Sequence, residues 1–173
     1  MSGPTWQETL QGELARRPNN LPRVAIVGIG HELRGDDAAG IEVARGLVLP
    51  TDLPVEWGSV GSTVLVLEGG AAPENTTGAL RRFKPDFVLL VDAAGMGEPA
   101  GSVRWLDPLD AAGFSASTHM LPLHLLAEYL NSELGCEVAL LGIQPETLDV
   151  GAGLSQTVRQ AVDGVIRDLR RII

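Results

Sequence analysis

Residues 24–40 read Val-Ala-Ile-Val-Gly-Ile-Gly-His-Glu-Leu-Arg-Gly-Asp-Asp-Ala-Ala-Gly and constrain the fold more than any other stretch. An unbroken apolar run that enters a glycine-rich turn, with a helix starting beyond it, is the signature of a buried strand leading into a crossover helix. Such turns usually receive phosphate, because free backbone N–H groups and the helix dipole favour anions there. Here the turn ends in Asp36 and Asp37. Gly30 and Gly35 have P-loop spacing, but the aspartates stand where that motif carries Lys and Ser or Thr. The dinucleotide fingerprint fails as well, since Gly28-Ile29-Gly30-His31-Glu32-Leu33 lacks its third glycine. Acid in this place suits a cation, or a proton held between carboxylates, at the carboxyl ends of the strands.

Further short apolar or β-branched runs bounded by Gly, Pro or Asp predict strands at 63–67, 87–91, 102–106 and 138–143, after a first strand at 23–28. Helical stretches fall at 37–47, 73–83, 121–134 and 156–173, with Pro122 suited to a first helical turn. The alternation predicts a three-layer α/β/α sandwich. Between Gly95 and Trp105 there is no room for a crossover helix, so the strand from Ser102 is expected to run antiparallel in a mixed, mostly parallel five-stranded sheet. Trp6, Leu10 and Leu14, spaced by four, predict a short amphipathic helix over 6–17, closed by Pro18-Asn19-Asn20. The expected organisation is an N-terminal extension, 1–22, before a single domain, 23–173.

With 173 residues, the chain has the length of one domain with a proper core. A net charge of -9 and a pI near 4.7 argue against nucleic acid or an anionic membrane as partner, and favour a metal or a basic peptide. The single cysteine, Cys136, excludes an internal disulfide and a zinc site built on several thiolates, and reads as a buried strand residue. No apolar stretch near the start resembles a signal peptide and none elsewhere has transmembrane length, so the chain reads as cytoplasmic.

Three candidate groups fall where a doubly wound sheet collects its ligands: Asp36 and Asp37 after the first strand, Asp92 after the apolar run 87–91, and His119 before the helix with Pro122. Asp36 reads as an N-cap contributing about 1 kcal/mol. Asp37 in the first turn either gains roughly 0.3 to 1 kcal/mol from the dipole or serves the site. Asp92 directly follows five apolar residues, a place where a carboxylate is desolvated and pairs with something. Two carboxylates about 5 Å apart would repel by roughly 3 kcal/mol at an effective dielectric near 20. Either one then keeps a proton or a cation neutralises both. His119 is either a helix-start residue bonded to backbone or a nitrogen ligand which, with two carboxylates, suits nickel, zinc, manganese or iron. Glu68, before a sharp turn expected at Gly69-Gly70, either supports the site or is solvated.

Five blocks in order, Gly28-Ile-Gly-His-Glu-Leu-Arg-Gly-Asp-Asp-Ala-Ala-Gly40, Glu68-Gly-Gly-Ala-Ala-Pro-Glu-Asn75, Val91-Asp-Ala-Ala-Gly-Met-Gly97, Ser117-Thr-His-Met-Leu-Pro-Leu123 and Leu141-Gly-Ile-Gln-Pro-Glu146, resemble the [NiFe]-hydrogenase maturation endopeptidases, nearest to the hydrogenase 3 type. The resemblance runs from about residue 23 to the end. It implies a phosphorylase/hydrolase-like sandwich with one antiparallel strand, and a peptidase that removes the C-terminal tail of a hydrogenase large-subunit precursor after nickel insertion. It further implies that Asp37, Asp92 and His119 contact the metal. That metal is nickel carried by the substrate, with a resting nickel, zinc or manganese ion also compatible. His31 stands where the family commonly has Asn, and Glu68 where it has Asp; with Asp36 they are candidates to support the site from behind. His31 either adds a ligand or hydrogen-bonds the loop. Two other readings of the same residues are a nickel carrier without hydrolysis and a peptidase of this fold with another protein substrate.

Overall fold

The computed structural model describes residues 3–17, 21–48, 63–110 and 122–173. Five strands, β1 (Val24–Ile29), β2 (Val64–Gly70), β3 (Phe87–Ala93), β4 (Val103–Leu106) and β5 (Glu137–Ile143), alternate with helices α1 (Trp6–Ala15), α2 (Ala39–Leu47), α3 (Thr77–Phe83), α4 (Leu123–Leu134) and α5 (Gln156–Ile172). One sheet holds the strands in the order β2-β1-β3-β5-β4. All its neighbours are parallel except β4, which runs against β5 with Val103 opposite Ile143. The expected mixed sheet is therefore present. Its antiparallel member follows β3 after only nine residues, too few for a crossover helix.

β1 and β3 are buried along their whole length, so their successive side chains feed two separate cores. Val24, Ile26, Leu89, Val91 and Leu141 face α1, α2 and α5, while Ala25, Val27, Ile29, Val88 and Leu90 face α3 and α4. Helix α5 buries Val158, Val162, Val165 and Leu169, one stripe of a helix otherwise rich in charge. Ser155 caps it by accepting the Val158 amide, a contact worth about 1 kcal/mol. Helix α1 enters the same core through Trp6 and Leu10 and is tied to α5 by a Gln7–Asp168 hydrogen bond of 2.9 Å. It starts with a capping box between Thr5 and Glu8.

Four expectations shift. A 3-10 turn, Gly35–Ala38, precedes α2, and another, Pro73–Thr76, precedes α3, so both helices start later than their sequence patterns suggest. The strand β2 continues through Glu68, Gly69 and Gly70 rather than turning sharply, helped by a register irregularity opposite Gly28 and Ile29. Pro122 sits one residue ahead of α4 at extended ψ, 136°. Cys136 is buried, but just before β5 rather than inside it. Among the described residues no helix is long and apolar enough to cross a membrane.

Candidate active site

Two glycines bring the acids to one edge. Gly30 follows β1 with φ of +140°, and a Cβ there would lie 1.7 Å from the Asp37 carbonyl oxygen. The chain thus folds back until the Asp37 backbone rests on the end of its own strand. Gly40, in the first turn of α2, could carry no Cβ either, since one would lie 2.1 Å from the Val91 carbonyl oxygen and 2.4 Å from that of Ile29. The start of α2 is therefore wedged between the carboxyl ends of β1 and β3. Asp92 is the residue after Val91, paired with Gly142 of β5. Asp37 and Asp92 consequently share the edge where β1 and β3 end, as parallel strands require.

Both aspartates are 1 % exposed. Carboxylates so far from water persist only where hydrogen bonds or opposite charge compensate them, and such sites are where chemistry is done. Asp92 Oδ1 accepts the Ala93 amide at 2.9 Å. Among the described residues no group of three or more His, Cys, Asp or Glu side chains is arranged to hold a metal ion. His119, the third expected contact, lies outside the described residues.

Asp36 is fully buried, but not as an N-cap. Its Oδ2 accepts the amides of Glu146 and Thr147, at 2.8 and 3.0 Å, and the Ser155 hydroxyl at 2.9 Å. Its Oδ1 accepts the Ser155 amide at 2.7 Å. The carboxylate is a staple between the β1–α2 turn and the β5–α5 loop, and backbone bonds from Gly35 to Ala152, Asp36 to Thr147 and Gly151 to Leu33 reinforce the seam. Its four acceptor contacts explain why it tolerates burial. On the other side of the edge, the Gln144 Oε1 accepts the amides of Met96 and Glu98 and so fixes the loop that follows Asp92.

Glu68 turns away from the buried acids. Its register partner is Gly28, which faces α2, and the carboxylate pairs with Arg45 of that helix at 3.1 Å. Arg45 also holds Glu32 and Glu42, and Glu68 and Glu32 keep its guanidinium protonated even more firmly than usual. His31 is exposed and its Nδ1 accepts the Leu33 amide at 3.2 Å, which shapes the loop. His124 is a half-buried helix residue of α4. Sequence patterns did not single out Ser155, Gln144 and Arg45 for this edge. Only Ser155 carried a local signal, as a cap, and none indicated its partner 119 residues away.

The family profile for hydrogenase maturation proteases (HycI) matches residues 55–171. The hydrogenase 3 maturation protease of Escherichia coli is 34% identical over 145 residues, 83% of this chain and 86% of that protein. The crystal structure of the [NiFe] hydrogenase maturation protease HycI from Thermococcus kodakarensis superposes with a TM-score of 0.77 at 32% identity, spanning 95% of this chain and 97% of that one. The hydrogenase maturating endopeptidase HybD from E. coli, 23% identical, shares the fold with a TM-score of 0.66 over 85% of this chain and 89% of that one. With a profile over more than half its length and relatives matched nearly end to end, this chain belongs to the hydrogenase maturation protease family.

Proposed function

We propose that this member of the family removes the C-terminal extension of a [NiFe]-hydrogenase large-subunit precursor once nickel has been inserted, and reads the inserted ion through Asp37, Asp92 and His119. The observation that carries the reading is the burial of Asp37 and Asp92 at one edge of the sheet, each 1 % exposed. Two buried carboxylates are oxygen donors for a divalent ion, and an imidazole adds a donor of borderline softness, a set that suits nickel. The ion belongs to the substrate, so binding it couples cleavage to loading.

In this reading the acids have two tasks. They hold the metal-bearing segment of the precursor, and one of them orients a water, and takes its proton, as it attacks the neighbouring peptide carbonyl. Fixing both groups on strand ends and a stapled turn supplies the orientation such a reaction needs. The Asp36 carboxylate and Gln144 act on the frame rather than on the substrate.

The test is cleavage of a nickel-loaded precursor followed by mass spectrometry. The wild-type protein is expected to release a C-terminal peptide from the loaded precursor and none from the nickel-free one. Asp37→Asn, isosteric and at a buried position, is expected to abolish release while the circular dichroism spectrum stays native. Unchanged release by Asp37→Asn would overturn the assignment; an intact precursor with nickel transferred to the wild-type protein would point to a carrier instead.

A further inference from the structure

We infer that Arg34 is a substrate-contacting residue, whose guanidinium takes an acceptor oxygen of the precursor segment entering the site. The inference rests on the reading of Asp37 and Asp92 given above. Two arginines of the described residues are half-buried, Arg17 and Arg34. Arg17 donates to Glu137 and to the Asp86 carbonyl oxygen and lies over the Phe87 ring. The Nε of each is buried without an acceptor among the described residues, but whereas the terminal nitrogens of Arg17 are bonded, the guanidinium of Arg34 makes no hydrogen bond, ion pair or ring contact with any described residue.

That state is unusual for its surroundings. The chain has 22 acidic residues against 13 basic ones, so carboxylates are not scarce. A guanidinium presents five donors in a fixed fork, and leaving the buried Nε–H of Arg34 unmatched costs stability. The backbone of Arg34 is nonetheless held on both sides: its amide donates to the His31 carbonyl oxygen at 3.0 Å and its carbonyl oxygen accepts the Asp37 amide at 3.1 Å. The residue is thus one 3-10 turn from Asp37, on a turn stapled to the β5–α5 loop, and its head group has no acceptor among the described residues.

The acceptor chemistry is defined by the guanidinium, which binds planar oxygen pairs of carboxylates and, more weakly, main-chain carbonyls. Any peptide segment presents main-chain carbonyls, and carboxylates wherever it carries Asp or Glu. A charge-assisted hydrogen bond of this kind corresponds to roughly tenfold to a hundredfold in kcat/KM.

Steady-state cleavage of nickel-loaded precursor by the full-length protein tests it. Arg34→Gln is expected to lower kcat/KM tenfold or more, with a melting temperature within about 2 °C of wild type because its side chain bonds to no described residue. Arg34→Lys is expected to recover part of the loss. A wild-type KM that rises with ionic strength, with that dependence abolished in Arg34→Gln, identifies a carboxylate; a salt-independent KM identifies a main-chain carbonyl. A kcat/KM for Arg34→Gln within twofold of wild type overturns the inference, and so does a loss that comes with a melting temperature several degrees lower. If Asp37→Asn is inactive in the same assay, such a result leaves the proposed function standing; if Asp37→Asn still cleaves, it is the proposed function that fails.

Discussion

At the amino edge of the sheet, an ion pair lies at the surface beside an apolar recess; at the carboxyl edge, acid is buried. Arg17 meets Glu137 at the start of β5, and Leu14, Leu21, Pro22, Ile172 and Ile173 line the recess beside it. The other edge carries three aspartates no more than 1 % exposed, and an arginine with no partner among the described residues. Both edges belong to the same strands and the same two cores, so stability alone does not demand the difference. Asp36 shows what a structural acid looks like here: four donors converge on it. Arg34 is its counterpart, a charge that no contact with a described residue explains. Open parallel sheets collect their ligands at the carboxyl ends of the strands, which marks the second edge as the candidate site.

The contrast breaks most completely at Gly40. A Cβ there would press on two backbone carbonyls, 2.1 and 2.4 Å away, which cannot move without separating β1 from β3. Gly40→Ala is expected to yield no cooperative thermal transition, a loss of more than about 4 kcal/mol. Asp36→Asn is the next largest. It turns one carboxylate oxygen into a donor facing other donors and so leaves at least one buried N–H unmatched, roughly 3 kcal/mol. In a chain of 173 residues that lowers the melting temperature by about 8 °C, measured by calorimetry. Cleavage should fall with it, since the staple fixes the turn that bears Asp37.

The pattern of residue types made the layers legible. Unbroken apolar runs marked β1, β3 and β5, and the short span before β4 gave its direction, because no helix fits into nine residues. Asp92 stood out because a carboxylate follows five apolar residues, a local signal of a buried charge. What escaped was whatever depends on contacts between distant segments. Asp36 resembles any cap in sequence, and its partners lie 110 to 119 residues further on. Glu68 resembles a strand-end acid, yet its pairing with Gly28 puts it on the face of Arg45. Arg34 lies inside the Gly28–Gly40 block without a local signal, since only coordinates reveal that an arginine lacks an acceptor among the residues described. The third expected contact, His119, falls outside the described residues.

Arg17 sharpens the comparison from the other side. Arg17→Ala removes a pairing with a Glu137 that is itself 60% exposed, a longer bond to the Asp86 carbonyl, and the cover over Phe87. Screening keeps the ion pair small, and lost packing dominates, for a total of about 1 kcal/mol. The expected readout is a melting temperature lowered by about 3 °C with cleavage unchanged. Arg34→Gln should give the reverse pattern, and a swap of these two outcomes would erase the distinction between the edges.

The smallest effect is expected at Cys136, buried at the amino side of β5 beneath the Arg17–Glu137 pair. Its thiol is 1 % exposed and donates to the Leu130 carbonyl oxygen, and burial pushes its pKa above the ordinary 9.0. In the unfolded chain the thiol ionises near the ordinary value, while in the folded protein it stays protonated to higher pH. Above pH 9 the folded state therefore binds the extra proton, and stability declines as pH rises until the folded thiol also ionises. The stabilising contribution is fully present below the unfolded pKa. Cys136→Ala should remove this segment of the alkaline decline while leaving the curve below pH 8 parallel to wild type, offset by the small cavity it creates. Denaturant melts between pH 7 and 10 provide the comparison. An identical alkaline slope in both proteins would mean that the thiol is reached by water, and that the core beneath β5 opens more readily than its packing indicates.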